Sequence, residues 1–158
     1  MDDSGIYLKF EKQIPGNVDV EGYENWIMLS SCNLSINRGI ANETGQGKRD
    51  VGVPRFSAMM CTKESDKADA GMYKAHLLGT VLGKAEIHQC QTSGDSAHKP
   101  YKIFELSDTI IADYNDNMGM DSFSLVFTAI KIQVNEFDGT QIIDGEPVTF
   151  NLASGKVE

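Results

Sequence analysis

Few residues in this chain have the types and spacing that chemistry requires. There are three histidines, His76, His88 and His98, and three cysteines, Cys32, Cys61 and Cys90. A zinc site needs converging ligands, which Cys-x-x-Cys or His-x-x-x-His spacing would supply, and neither spacing occurs. His88 and Cys90 lie two apart, so on a strand they point the same way and offer two metal ligands, short of a site. The cysteines are odd in number and widely spaced, which suits reduced core thiols better than a disulfide framework.

Other motifs fail on inspection. The acidic run from Asp113 to Asp121 resembles a calcium loop, but that loop needs Gly at its sixth position and Glu at its twelfth, where Met118 and Ser124 stand. A polar hairpin turn is the better reading. Gly45-Gln46-Gly47-Lys48-Arg49 is not a phosphate-binding loop, which would require Gly at Asn42 and Ser or Thr at Arg49. There is no Gly-x-Ser-x-Gly nucleophile elbow. The acidic pairs Asp66/Asp69 and Asp113/Asp116 sit at a helix start and a turn, where carboxylates act structurally. These residues support no enzyme, no cofactor and no metal.

The elements that must carry these residues belong to one domain spanning 1–158, because 158 residues is well below the length at which chains split. With 41% hydrophobic residues the chain can fill a core. The net charge of −9 argues against nucleic-acid binding. Acids outnumber bases ten to three over residues 101–158, which reads as a solvated acidic face. No apolar run reaches the roughly 20 residues that span a bilayer, so no membrane insertion is expected. The start, Met1-Asp2-Asp3-Ser4-Gly5, has neither the basic nor the apolar region of a signal peptide. Cytoplasmic synthesis with reduced thiols is the expectation, and the sequons at Asn33 and Asn42 then carry no meaning.

Short alternating runs dominate the chain. Ile6, Leu8 and Phe10 alternate with Tyr7, Lys9 and Glu11, a half-buried strand that Pro15-Gly16-Asn17 breaks. Trp26 to Ile36 begins apolar and turns small and polar at Ser30-Ser31-Cys32-Asn33. Residues 37–54 have no core-facing period and read as a long loop. Phe56 to Cys61 alternates again. One helix follows, about Asp66 to Leu78, capped by Asp66 and stopped by Gly79, with Ala68, Met72, Ala75 and Leu78 as its apolar stripe. Gly71 inside it costs up to about 1 kcal/mol, so packing must hold the helix. Strands are expected over Lys84–Gln91, over 101–106 with 110–114, over Asp121–Val134 and around Val148, Phe150 and Leu152. The apolar phase within Asp121–Val134 shifts near Thr128-Ala129, as a β-bulge would make it.

Seven or eight strands and one helix predict a mainly β fold: an antiparallel β-barrel of two packed sheets with a flanking α-helix and a long extended loop. The residues by themselves leave three functions open. These are a structural subunit, a monomeric small-molecule-binding β-barrel, and a metal enzyme on a cupin-like barrel with His88 among its ligands.

The order of features over about residues 5–152 resembles the Hcp family, the haemolysin-coregulated proteins of bacterial type VI secretion. Ile6-Tyr7-Leu8-Lys9-Phe10 is similar to the family's opening strand, and Gly16-Asn17-Val18 stands where the family often has Gly-Glu-Ser. Trp26 to Ser31 resembles the strand before its long loop, here 37–54. Arg55 to Lys63 leads into the single helix, whose Met72, Ala75 and Gly79 match the family pattern, and Lys84-Ala85-Glu86-Ile87 follows. Asp121 to Phe127 resembles the penultimate strand with its Leu-x-Phe. Asp69-Ala70 departs from the family's Ser/Thr-Pro helix start.

The resemblance implies a non-enzymatic subunit that forms homo-hexameric rings. The rings stack into the inner tube of a contractile machine, with the spike protein, the sheath and cargo effectors as partners. The tube is assembled in the cytoplasm and secreted through the apparatus without a signal peptide. On this reading the loop 39–54 reaches an adjacent ring, with Gly45, Lys48, Arg49 and Asp50 as the stacking candidates. Ser31 is the candidate for a lumen and cargo contact, because its strand turns small and polar there.

Overall fold

The computed structural model describes residues 5–42, 49–90, 100–137 and 142–157. In chain order the elements are β1 (Gly5–Phe10), β2 (Ile27–Leu29), β3 (Ser31–Asn33), β4 (Ile36–Asn42), β5 (Arg49–Phe56), β6 (Met59–Glu64), α1 (Asp69–Leu78), β7 (Ala85–Cys90), β8 (Pro100–Ser107), β9 (Ile110–Asp116), β10 (Met120–Val126), β11 (Ala129–Val134), β12 (Glu136–Phe137), β13 (Ile142–Ile143), β14 (Val148–Asn151) and β15 (Lys156–Val157). The chain is mainly β, as expected, and its strand pairs are antiparallel.

The sheets do not close into one barrel. A seven-stranded sheet runs β15-β14-β11-β8-β7-β1-β2, and a four-stranded sheet runs β3-β6-β10-β9. Three stretches of chain leave one sheet and enter the other at corners: β2 to β3 at Ser30, β8 to β9 at Asp108-Thr109, and β10 to β11 at Phe127-Thr128. Such corners join sheets that face each other across a common core. Leu8, Phe10, Ile27, Met59, Leu106, Phe123, Leu125 and Ile130 fill it from both sides.

The corners account for the phase shift near Thr128. It is not a bulge: Thr128 donates its N–H to the Ser107 carbonyl (3.0 Å) and its Oγ1–H to Asp108 Oδ2 (2.9 Å), where the chain changes sheets. The inward parity therefore restarts at Ile130. A bulge does occur, in the β9–β10 pair, where register shifts between Ser124 and Leu125. At the Asp108 corner the backbone takes φ 50°, and Thr109 is fully buried. There Leu82 donates to the Thr109 carbonyl (2.8 Å) and Thr109 donates to the Gly83 carbonyl (2.9 Å).

Residues expected to form a loop form a ribbon instead. β4 and β5 pair from Ile36 with Phe56 out to Asn42 with Arg49, with a register shift between Arg38 and Ile40. Among the described residues they pair only with each other. The ribbon is anchored where the Phe56 ring stacks on Phe150, 5.0 Å between centroids. Phe150 is the one residue of the last expected strand that enters the core; Val148 and Leu152 are exposed.

The helix begins at Asp69, three residues later than expected. Asp66 does not cap it; Ala68 is the N-cap and makes no side-chain cap bond. The Asp66 carboxylate instead accepts the Ala68 N–H (2.9 Å) in the turn before it. Gly79 ends the helix with φ 62°, as its position suggested. Ala68, Met72 and Ala75 face the core, but Leu78 does not. Gly71 is explained by a close approach: a Cβ there would stand 2.8 Å from Ile14 Cγ2.

Candidate assembly surfaces and the buried charge cluster

Ser31 lies on β3, half-buried, and its Oγ is 2.6 Å from Thr62 Oγ1. Register places Ser31 beside Thr62 and Thr62 beside Ser122, a short row of hydroxyls across the four-stranded sheet. Arg49 and Asp50 lie on β5 at the far end of the ribbon, paired with Asn42 and Ala41. Gly45 and Lys48 lie outside the described residues.

His88 and Cys90 do lie close together, but their neighbours are aromatic and aliphatic side chains. His88 Nδ1 is 3.0 Å from the Tyr23 hydroxyl, and its ring meets Trp26 edge-on at 5.0 Å. Cys90 is buried with Tyr7, Val18 and Tyr23. Burial holds the His88 imidazole below its ordinary pKa, although Glu86 and Glu105 pull the other way. Burial likewise raises the Cys90 thiol and the Tyr23 hydroxyl.

The most concentrated charge is one that motif reading passed over. On β6, Met59, Cys61 and Lys63 share the inward parity, so a lysine is carried into the core. Register sets Lys63 opposite Asp121 of β10, and both side chains are fully buried, with Nζ 3.4 Å from Oδ2. Asp66 accepts from Lys63 Nζ at 2.8 Å, and Asp69, in the first helical turn, accepts from it as well. Asp121 also takes the Ser65 hydroxyl (3.1 Å) and the Tyr114 hydroxyl (2.6 Å). Nearby, Tyr73 of the helix donates to Asp116.

Burial alone would push the Lys63 ammonium down, but its bonds to Asp66 and Asp69 outweigh that and hold it above its ordinary value. Burial, and then the bond to Asp121, raise the Tyr114 hydroxyl. A lysine held protonated is no base and no nucleophile. Asp69, Asp116 and Asp121 bring oxygens within 4.8 Å of one another, yet the Lys63 ammonium already supplies the cation for two of them. The cluster is a clamp that fastens the start of α1 to the sheet. At the other end of the helix, His76 Nδ1 lies 2.9 Å from the Ile111 carbonyl on β9. The helix thus covers the edge of the four-stranded sheet, as exposed edges require. The signal available in the sequence was Lys63 itself, a charge at an inward position of an alternating run.

Among the described residues, several large apolar side chains are exposed, and two groups of them bear on assembly. At the end of the helix Leu77 is 82% exposed and Leu78 69%. Where the seven-stranded sheet outruns the four-stranded one, Val148 pairs with Ile132 and Val157 with Phe150, and Val134, Val148 and Val157 are exposed. Between the sheet and β3–β4 lies a groove of about 470 Å³, lined by Ile6, Cys32, Ile87, Lys102 and Phe104 among others. No described helix is long and apolar enough to cross a membrane.

No curated protein matches the chain by sequence. Among solved structures it is similar to one described as a type six secretion system protein (TM-score 0.87, 16% identity, covering 98% of this chain and 99% of that one). It is also similar to Hcp1 from Salmonella typhimurium (TM-score 0.75, 16% identity, 100% of both chains). A third is Hcp1 from E. coli EAEC 042 (TM-score 0.72, 21% identity, 96% and 99%). At these identities the likeness establishes the fold. The family model described as "Type VI secretion system effector, Hcp" matches residues 7–134, most of the chain, and the protein therefore belongs to the Hcp family of type VI secretion.

Proposed function

We propose that the chain is a structural, non-enzymatic subunit of the type VI inner tube. It closes with five copies of itself into a ring, the rings stack, and the lumen carries effectors. Spike and sheath proteins are its further partners, and it leaves the cell through the apparatus. The observation that supports this reading is that exposed apolar side chains stand at two different places on one subunit, Leu77-Leu78 at the helix end and Val134, Val148 and Val157 at the sheet overhang. A contact between unlike patches is heterologous and generates a ring when its rotation closes.

The test is native mass at low and high salt. A species of roughly six chain masses is expected, and Leu77→Lys or Val157→Lys should each give monomers with unchanged far-UV circular dichroism. A hexamer that survives both changes removes these patches from the contact. A wild-type monomer at high concentration removes the ring and favours a monomeric small-molecule-binding protein.

Stacking is assigned to the ribbon. Its free end carries Arg49 and Asp50, and the segment with Gly45 and Lys48 joins there. Deleting 43–50 should impair stacking, in a salt-sensitive way, and leave rings intact; unchanged tube formation would count against it. Ser31 is assigned to the lumen on the strength of the hydroxyl row it shares with Thr62 and Ser122. Ser31→Gln should lower effector retention without altering the ring, and unaltered retention would exclude the role.

A further inference from the structure

Two of the three cysteines face each other. Cys32 on β3 and Cys61 on β6 are direct partners in antiparallel register, and their sulfurs are 4.0 Å apart, with the Cys61 thiol directed at Cys32 Sγ. Directly opposed residues of an antiparallel pair have Cα atoms about 4.5–5.5 Å apart, inside the range of about 4.4–6.8 Å that a disulfide spans. The two thiols differ in access. Cys61 is buried, whereas Cys32 is half-buried and lines the 470 Å³ groove together with Lys102. The bond from Cys61 lowers the Cys32 thiol, burial opposes this, and the Lys102 ammonium lowers it further. The same bond and burial raise the Cys61 thiol. An accessible thiol beside a cation, backed by a buried second thiol, is the arrangement of an attacking and a resolving cysteine.

We propose that Cys32 and Cys61 form a dithiol–disulfide pair, closed by a small-molecule disulfide of the glutathione class that enters through the groove. The Cys32 thiolate attacks one sulfur of the disulfide RSSR. That S–S bond breaks, RS⁻ leaves and is protonated, and a mixed disulfide remains on Cys32. The Cys61 thiol then loses its proton and attacks Cys32 Sγ, expelling the second RS⁻. Two protein thiols are oxidised by two electrons and RSSR is reduced to two RSH. The sulfurs must close from 4.0 Å to about 2.05 Å. The bond ties β3 to β6 and closes a loop that contains the whole β4–β5 ribbon. That it would close on passage from a reducing to an oxidising compartment rests on the secretion reading above; the exchange chemistry does not.

The experiment treats the intact reduced protein with oxidised glutathione, quenches with N-ethylmaleimide, unfolds it and maps the peptides by mass spectrometry. The expected product has lost about 2 Da, by the two-hydrogen balance of the exchange. It links the peptides of Cys32 and Cys61 and leaves Cys90 free. Cys90→Ser should behave as wild type. Cys61→Ser should trap a glutathione adduct on Cys32, and Cys32→Ser should give neither adduct nor link. A stable adduct on wild-type Cys32, a link through Cys90, or no loss of thiols in wild type would each overturn the proposal. Because wild type decides this, a serine variant that fails to fold does not protect it. Native mass of the reduced protein is read separately: a closed 32–61 bond in a monomer would keep the redox pair and remove the ring.

Discussion

Lys63 Nζ and Asp121 Oδ2 lie 3.4 Å apart across the β6–β10 pair, with no solvent on either side chain. A pair so placed is costly to break, because removing one partner strands the other charge. Lys63→Met should cost about 3–5 kcal/mol on that principle, read as a shift in urea midpoint at unchanged slope. Adding Asp121→Leu should recover part of the loss. A Lys63→Met protein within about 1 kcal/mol of wild type, the range of an exposed ion pair, would show that the clamp does not hold the helix.

The same cluster makes alkali the vulnerable direction. Lys63 and Tyr114 both have folded-state pKa values raised above their ordinary 10.5 and 10.0. A raised value means the unfolded chain loses its proton first. The stability these groups contribute is complete below pH 10 and is lost as the pH climbs through their folded values. Tyr73, bonded to Asp116, is pushed up to about 12. Spectroscopic titration should show the Tyr114 phenolate forming together with loss of the near-ultraviolet dichroism. Ionisation near pH 10 in the folded protein would contradict the bond to Asp121.

Gly71 should resist a change that helix propensity favours. In a free helix Gly→Ala gains about 1 kcal/mol. Here the new Cβ stands 2.8 Å from Ile14 Cγ2, and overpacking of that kind costs roughly 1–3 kcal/mol. Gly71→Ala should therefore destabilise in wild type and stabilise in an Ile14→Ala background. Equal effects in the two backgrounds would mean that Ile14 does not set the constraint.

On the acid side the marker is His88, whose folded pKa lies below its ordinary 6.5 because the ring is buried. For a depressed histidine the contribution is present above pH 6.5 and disappears as the pH falls through the folded value, since the unfolded chain takes up the proton first. Its imidazole resonances should titrate below pH 6.5 in the folded protein. A midpoint at or above 6.5 would show that Glu86 and Glu105, not burial, set the His88 titration.

The alternating runs marked the strands but not every face: Tyr7, at an outward position of its run, is buried. Leu8 and Phe10 point inward as their spacing requires, and Gly79 stops the helix in the left-handed conformation that few other residues adopt. What misled was ambiguity in the pattern. A corner and a bulge both shift inward parity by one residue, so the change near Thr128 read as a bulge. Strands that pair only with each other need no core-facing period in the sequence, so β4 and β5 read as a loop. Asp66 suits a helix cap and a salt bridge equally well by type.

Local backbone geometry is written in periods of two and about 3.6 residues, and those periods come from each residue's own steric preferences. The sequence therefore determined by itself that the chain is mainly β with one helix, where most strands lie, and, through their order, which family it resembles. Register is different in kind. That Lys63 meets Asp121, that Cys32 meets Cys61, and that the larger sheet overhangs at Val148 and Val157 depend on which strands pair. Only the tertiary structure decided these, because pairing is chosen by side chains far apart in the chain as they fill one core.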